Sequence, residues 1–199
     1  MLKFRYQETA EIKKLLIELE ALRIIFDTIK PISKIEENIR RESLLKSSLF
    51  SARIEGNPLT LTQAKHISPH REETDITKKE IFNLLRAYHS IYSQTSPKKI
   101  SKKIILKLHE FVLKGISAEA GRLRQEQSAI FNQAGVAVYM PPAFFKLPEL
   151  MTNYVDIINT LEYSAPVNAG IAHFLIEKIH PFLDGNGRVG RLISAFVEF

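Results

Sequence analysis

The chain has 199 residues, of which 45% are apolar and 25% are charged, and this ordinary globular composition excludes disordered, collagen-like and low-complexity proteins. The 28 basic residues exceed the 22 acidic ones, giving a net charge of +6, which suits nucleic-acid binding but also simple solubility. Cysteine is absent, which excludes disulfide scaffolds, thiolate zinc sites and cysteine nucleophiles. The N-terminus carries no secretory signal, and no apolar run approaches the ~18–20 residues that span a bilayer, so we expect a cytoplasmic protein.

Two long helices are predicted at the start of the chain. Apolar residues recur at spacings of three and four over residues 8–29, which indicates an amphipathic helix that stops before Pro31. The same spacing continues from Ile35 to Ala52. The second helix should end at Gly56-Asn57-Pro58, because glycine adopts a left-handed conformation readily and proline cannot continue a helix.

Capping signals predict the next helices. Thr60 and Gln63 form a capping box that opens a short helix, and Thr77 and Glu80 form another before a longer one. Residues 102–114 keep the helical period and are followed by a glycine stop.

The pattern then changes over residues 122–140, where the apolar residues are β-branched or aromatic. The break at Asn132-Gln133-Ala134-Gly135 predicts a β-hairpin closed by a short loop. Helices resume near Pro148 and Pro166, since proline suits a first helical turn, and the last runs from Arg188 to the final residue. The fold class is therefore mainly α, a helical bundle with one β-hairpin.

The segment that carries chemistry is residues 180–191, His-Pro-Phe-Leu-Asp-Gly-Asn-Gly-Arg-Val-Gly-Arg. It predicts a glycine-containing loop that leads into a helix N-terminus, where free backbone N–H groups and the helix dipole bind anions. Arg188 and Arg191 are three residues apart and share one side of that helix, which suits a polyphosphate. Asp184 supplies a carboxylate for Mg²⁺, and His180 is the natural general base.

The three glycines of this segment, Gly185, Gly187 and Gly190, also spell the dinucleotide-binding pattern G-x-G-x-x-G. That pattern requires a strand before it and an acidic residue about 20 positions later. Here a helix precedes the glycines and the sequence ends first, so we reject a Rossmann interpretation.

Residues 180–191 resemble the signature of the Fic family, H-P-F-x-[D/E]-G-N-G-R-x-x-R, at every fixed position. The run Gly121-Arg122-Leu123-Arg124, the hairpin and the helix from Pro148 are similar to the family's flap and the segment after it. The resemblance implies a Fic-type helical bundle with a hairpin flap. It also implies a protein adenylyltransferase that transfers AMP from ATP to a Ser, Thr or Tyr hydroxyl of a target protein.

The same resemblance assigns roles within the segment. His180 would deprotonate the target hydroxyl, and Asp184 would hold the Mg²⁺ that bridges the α- and β-phosphates. The remaining nucleotide-binding positions are Gly185, Asn186 and Gly187 at the α-phosphate, Arg188 at the departing pyrophosphate, Arg191 at the γ-phosphate, and the intervening Val189 and Gly190. The hairpin near Ile130 and Phe131 would clamp the target backbone by strand addition.

A second motif lies at the end of the second helix, where Ser51 and Glu55 are four residues apart and share a face. A helix C-terminus disfavours an anion, so Glu55 requires a cation, for which Arg191 is a candidate. The segment resembles the inhibitory motif of the Fic family, [S/T]-x-x-x-E-[G/N]. By that resemblance Glu55 pairs with Arg191 and keeps the γ-phosphate out of its productive position.

These patterns together predict one domain over residues 1–199. Residues 1–75 form N-terminal helices that include the inhibitory motif 51–56, and residues 76–199 form the catalytic core. The final helix continues in relatives, so we expect the core to be cut short at its C-terminus. The sequence leaves open whether the protein forms a homodimer, and we expect neither a membrane nor a DNA partner.

Three alternatives to AMP transfer stay open. In one, Glu55 positions a water and the protein removes AMP from a modified target. In another, the donor is a different nucleotide, because the segment reads phosphates more clearly than a base. In the third, the fold is a regulatory module that binds a nucleotide, or DNA, without catalysis.

Overall fold

A computed structural model describes residues 2–29, 33–68, 70–93, 99–132 and 134–198. The chain divides into two compact units, one of residues 3–43 and one of residues 1–2 and 44–199. The single domain over residues 1–199 that we expect from the sequence stays a prediction.

The unit of residues 3–43 contains helix α1, Ala10–Thr28, and the first half of helix α2, Ser33–Ile54. Thr9 caps α1 by accepting a hydrogen bond from the backbone N–H of Ile12. The predicted helix is confirmed, although its apolar stripe buries no residue. The predicted stop at Pro31 lies outside the described residues.

The second unit begins with the C-terminal half of α2, which ends as predicted because Gly56 takes a left-handed φ of 95°. Helix α3, Leu61–Ala64, opens with the predicted capping box. The capping box predicted at Thr77 and Glu80 is wrong. Helix α4, Ile76–Tyr92, is capped by Asp75, which accepts from the Lys78 N–H and leaves Glu80 free for other contacts.

Helix α5, Lys102–Leu113, is followed by the β-hairpin, which is shorter than predicted. Strand β1 is Ile130–Phe131 and antiparallel strand β2 is Ala137–Tyr139, with Ile130 opposite Tyr139 and an irregular register beside it. Residues 122–129 form no strand. Their backbone instead follows the loop before the last helix, where Arg124 bonds to it.

The core of this unit is built around the last helices, which are α6, Leu147–Asn159, α7, Ala165–Ile179, and α8, Asn186–Glu198. A 3₁₀ turn at Phe144–Lys146 leads into α6. The α7–α8 pair buries Leu175, Ile176 and Leu192 completely. Helix α8 begins two residues earlier than predicted, so its first turn coincides with the glycine-containing segment of the sequence.

Across the described ranges, no helix combines the length and the apolarity needed to cross a membrane.

Replacing Leu175 by alanine should lower the free energy of unfolding by about 2–5 kcal/mol, because a buried leucine leaves a cavity between rigid neighbours. The matched control is Ile76→Ala, at an exposed position, where the change should stay within about 0.5 kcal/mol. Urea unfolding followed by circular dichroism measures both. Equal losses in the two variants would contradict this description of the core.

Candidate functional site

The loop between α7 and α8 is held by its own side chains. Phe182 is completely buried, and its backbone N–H and C=O both bond to the Asn186 amide, at 3.0 and 2.9 Å. Asn186 is itself buried. By bonding to both backbone groups of Phe182, its amide holds the loop in one conformation. His180, immediately before this ring of bonds, takes a left-handed φ of 49° at the C-terminus of α7.

His109 of α5 supports the loop from below. Its ring stacks on Phe182 with 3.7 Å between ring centroids, and it is completely buried. Nδ1 accepts the Gly121 N–H at 3.0 Å, so the proton lies on Nε2, which donates to the Asp184 carbonyl at 3.0 Å. Burial lowers the pKa of His109, which favours the neutral ring that these two bonds require.

Arg124 ties the hairpin to the same loop. Its buried guanidinium donates to the His180 carbonyl at 2.9 Å, to the Glu126 carbonyl at 2.9 Å and to the Pro142 carbonyl. Its own backbone N–H donates to Pro181. Burial lowers the pKa of this guanidinium, and three backbone dipoles compensate its charge. Arg124 therefore fixes the base of the hairpin against the backbone of His180.

The first turn of α8 is an anion-binding geometry. Gly185 precedes it with φ of 81°, a conformation that favours glycine. The backbone N–H groups at the start of a helix have no partner within the helix. They point, with the positive end of the helix dipole, toward the space in front of residues 186–188.

Asp184 and Arg188 flank this turn. One Arg188 nitrogen donates to both Asp184 carboxylate oxygens at 2.9 Å, and another donates to Glu80 at 3.2 Å. Glu80 in turn accepts from the side-chain amide of Asn57 at 2.6 Å. Arg188 is buried, whereas the Asp184 side chain is 62% exposed. The Asp184 carboxylate is thus held in place while remaining open to solvent.

Arg191, one turn further along α8, reaches back to the end of α2. Its Nε donates to the Ser51 hydroxyl at 2.8 Å, and a terminal nitrogen donates to the Ser51 carbonyl at 2.9 Å and to Glu55 at 2.7 Å. The Glu55 carboxylate also lies against the Cα of Gly187, where an added Cβ would collide with it. An anionic side chain of the protein therefore lies at the anion-binding turn.

The hairpin runs alongside the end of α7 and the loop that follows it. The Tyr139 hydroxyl donates to the Lys178 carbonyl at 2.6 Å, which anchors β2 to the last turn of α7. Ile130 is half-buried and Phe131 is 61% exposed. The hairpin is thus fixed at one side, while Phe131 faces solvent.

The structure brings most of the predicted site residues together. The loop, the first turn of α8 and the end of α2 form one continuous site, with residues His180, Asp184, Gly185, Asn186, Gly187, Arg188, Arg191, Ser51 and Glu55. Two predicted members face elsewhere. Val189 is completely buried with its N–H bonded to the Gly185 carbonyl, and Gly190 packs against His173 and Glu177.

Three supporting residues, Glu80, Arg124 and His109, are absent from the site that the sequence predicts. Glu80 lies three residues after Thr77, a spacing typical of a helix cap, and Arg124 lies in the run Gly121–Arg124, to which the resemblance assigns no role residue by residue. Nothing local to His109 indicates that it contacts a loop 75 residues later.

The amino-acid sequence of this chain is similar to that of known proteins. Residues 99–197 match the model of the Fic/DOC family. A protein adenylyltransferase Fic from Drosophila willistoni is 33% identical over 202 residues, which cover 94% of this chain and 39% of that protein. Its counterpart from Drosophila virilis is 31% identical over 201 residues, covering 94% and 40%. The chain thus spans well under two thirds of the length of these curated relatives.

The fold of this chain is also similar to that of solved structures. A Fic family protein from Desulfovibrio desulfuricans G20 superposes with a TM-score of 0.83 at 27% identity, covering 96% of this chain and 58% of that one. Fic-1 from C. elegans superposes with a TM-score of 0.76 at 26% identity, covering 95% and 57%. The similarity therefore extends over nearly all of this chain.

The buried His109 predicts a pH-dependent stability. Its pKa is lowered in the folded state, so the unfolded chain binds more protons as the pH falls below the ordinary histidine value of about 6.5. The stabilisation is complete above that pH and is lost as the pH falls toward the lowered folded value. His173, whose pKa burial also lowers, acts in the same direction.

The free energy of unfolding should therefore be lower at pH 5.5 than at pH 7.5, and His109→Asn should reduce this difference. The exposed His89→Asn is the control and should leave the difference unchanged. Urea unfolding at the two pH values measures it. A pH difference that is the same in wild type and His109→Asn would contradict the assignment.

Proposed function

Because this chain belongs to the Fic family, we propose that it is an autoinhibited protein adenylyltransferase that moves AMP from ATP to a Ser, Thr or Tyr hydroxyl of a target protein. The observation that carries this proposal is the juxtaposition of a histidine, a helix N-terminus and two arginines along twelve residues. His180 stands at one end of the loop, and Arg188 and Arg191 follow the turn at its other end.

In the proposed reaction, Nε2 of His180 takes the proton of the target hydroxyl. The hydroxyl oxygen attacks the α-phosphorus of ATP, a new P–O bond forms, and the bond to the β-phosphate oxygen breaks. Pyrophosphate leaves with the electron pair, and AMP stays on the target. Catalysis rests on positioning and on compensation of phosphate charge, since the protein forms no covalent bond.

The phosphates have matched donors in the site. The free N–H groups in the first turn of α8 suit the α-phosphate. The Asn186 side chain is not available for this contact, because its amide is bonded to the backbone of Phe182. Arg188 suits the departing pyrophosphate, and Arg191 suits the γ-phosphate. Val189 and Gly190 are not among these donors, because Val189 is completely buried and Gly190 packs against His173 and Glu177.

Asp184 fits a Mg²⁺ ion that arrives with the nucleotide. Its carboxylate is exposed and oriented by Arg188, and Mg²⁺ is commonly bound through one or two carboxylates plus phosphate oxygens and water. Among the described residues no cluster of three acidic or histidine side chains exists that would hold a metal without the nucleotide. When bound, the ion would neutralise charge on the phosphate oxygens.

The hairpin is proposed to align the target. An extended target segment can pair with the exposed edge of a two-stranded sheet, which brings its hydroxyl toward His180. Ile130 and Phe131 on β1 lie in the right place for such pairing, since Tyr139 and Arg124 anchor the hairpin beside the loop. The homodimer and the cytoplasmic location stay predictions.

Glu55 is proposed to be the brake. Its carboxylate bonds to Arg191 and lies at Gly187, so it competes with phosphate for one guanidinium and one helix N-terminus. A hydrogen bond to a charged group contributes about 1.5–3 kcal/mol. A brake of that strength would hold the open form at roughly 10% to 1% of molecules.

Glu55→Gly should therefore raise AMP transfer roughly 10- to 100-fold, because it removes the competing carboxylate. Incubation with labelled ATP, Mg²⁺ and native lysate, followed by mass spectrometry, measures transfer to targets and to the chain itself. Glu72→Gly, at an exposed loop position, is the control and should behave as wild type. Equal, low labelling in all three proteins would reject the brake.

His180→Ala in the Glu55→Gly background should abolish transfer while ATP affinity stays within a factor of about two, because the imidazole acts on the hydroxyl and not on the phosphates. Labelling and isothermal titration of ATP measure the two quantities. His89→Ala is the matched control. Undiminished transfer by the His180→Ala form would rule out His180 as the base.

A further inference from the structure

Two neighbouring residues beside the loop between α7 and α8 each bury a polar side-chain atom that has no hydrogen-bond partner among the described residues. One is Nδ1 of His180, which has none among the described residues. It lies 3.6 Å from Oε2 of Glu177, slightly too far for a hydrogen bond. The other is Oε1 of the same glutamate, which is also buried and unpaired. Burying such groups without partners is costly, so their proximity requires an explanation.

The backbone brings these groups together. Glu177 lies three residues before His180, on the last turn of α7. His180 is the one non-glycine residue in the described ranges with a positive φ. A left-handed non-glycine residue costs about 1–2 kcal/mol, and such strain is concentrated at functional sites. The Arg124 bond to the His180 carbonyl holds this conformation in place.

The facing helix leaves space for the glutamate at Gly190. A Cβ at that position would lie 3.1 Å from Oε1 of Glu177 and 3.4 Å from the ring of His173. Contacts that short are tighter than ordinary side-chain packing. The glycine thus lets the Glu177 carboxylate lie between the two helices.

We propose that Glu177 is a positioning residue for the base. In the reactive complex the His180 Nδ1–H donates to Glu177, which places the proton on Nδ1 and leaves the Nε2 lone pair for the target hydroxyl. The carboxylate then stabilises the imidazolium that forms when Nε2 takes the proton. Catalytic hydrogen bonds are often long without substrate and tighten in the complex, and a carboxylate that fixes a histidine tautomer is a recurrent device.

Other charged groups surround this pair. His173, on α7, contacts Gly190 beside the glutamate. Burial lowers the pKa of His173, while Glu177 acts to raise it and Arg191, from α8, acts to lower it. Arg124 approaches from the segment before the hairpin and contacts the backbone of His180. Glu177 is the one carboxylate within 4 Å of the His180 ring among the described residues.

The proposal rests on the proposed AMP transfer, so activity is tested in the Glu55→Gly background. Adding Glu177→Gln should lower kcat at least roughly 10-fold and leave the KM for ATP unchanged, because the base is disoriented and the phosphate donors are untouched. Glu149→Gln, exposed on α6, is the control and should change neither.

A second readout is independent of activity. Long-range ¹H–¹⁵N spectra of ¹⁵N-histidine protein, with the His180 signals assigned from a His180→Asn variant, report which ring nitrogen carries the proton. Wild type should hold it on Nδ1, and Glu177→Gln should shift it toward Nε2. Glu177→Asp should restore part of the Nδ1 form.

The outcomes separate the two proposals. An inactive Glu55→Gly form would count against AMP transfer, and the spectra would still test Glu177. An unchanged kcat in the active double variant would overturn the positioning role. So would a wild-type spectrum with the proton on Nε2, and this last result holds even if Glu177→Gln does not fold.

Discussion

The pairing of Arg191 with the end of α2 is the interaction that determines which group lies at the anion-binding turn of α8. One guanidinium holds the Ser51 hydroxyl, the Ser51 carbonyl and the Glu55 carboxylate at 2.7–2.9 Å. These contacts bring an anion to the first turn of α8, where dipole and free N–H groups favour one. The carboxylate lies where we propose that the γ-phosphate binds, and the two anions would use the same donors. Under the proposed function, inhibition and catalysis are therefore two states of one electrostatic arrangement.

The loop between α7 and α8 is held differently from the Arg191–Glu55 pair. His109, Arg124 and Asn186 are buried, and all of them bind backbone groups of the loop. Such bonds lie away from solvent and are costly to break, since each would leave a buried polar group unpaired. The Arg191–Glu55 pair is partly exposed, with 22% and 35% of the side chains accessible. Under the proposed function, a rigid loop beside a more exposed ion pair would allow Glu55 to be displaced without breaking the bonds that hold the loop.

Much of this could be predicted from the sequence, because the informative signals are local. The helical periods, the Gly56 stop and the loop before α8 each depend on residues within a few positions of one another. The contact between Arg191 and Glu55 spans 136 residues; the position of Glu55 at a helix C-terminus indicates that it needs a cation, and the resemblance to a family selects Arg191 among the candidates. The roles of Glu80 and His109 could not be predicted, since a carboxylate at a helix start favours a cap and a histidine in an apolar helix favours the core. The hairpin is shorter than predicted because Arg124 and Gln127 donate hydrogen bonds to backbone carbonyls on either side of it, which leaves two residues for β1.

The central claim is that Glu55 occupies the place of the γ-phosphate. Isothermal titration of ATP and AMP into wild type and Glu55→Gln tests this most directly, since glutamine keeps the shape and removes the charge, and AMP has no γ-phosphate. We expect ATP affinity to rise roughly 10-fold or more in Glu55→Gln, while AMP affinity stays unchanged. Equal gains for ATP and AMP, or none for ATP, would contradict the claim.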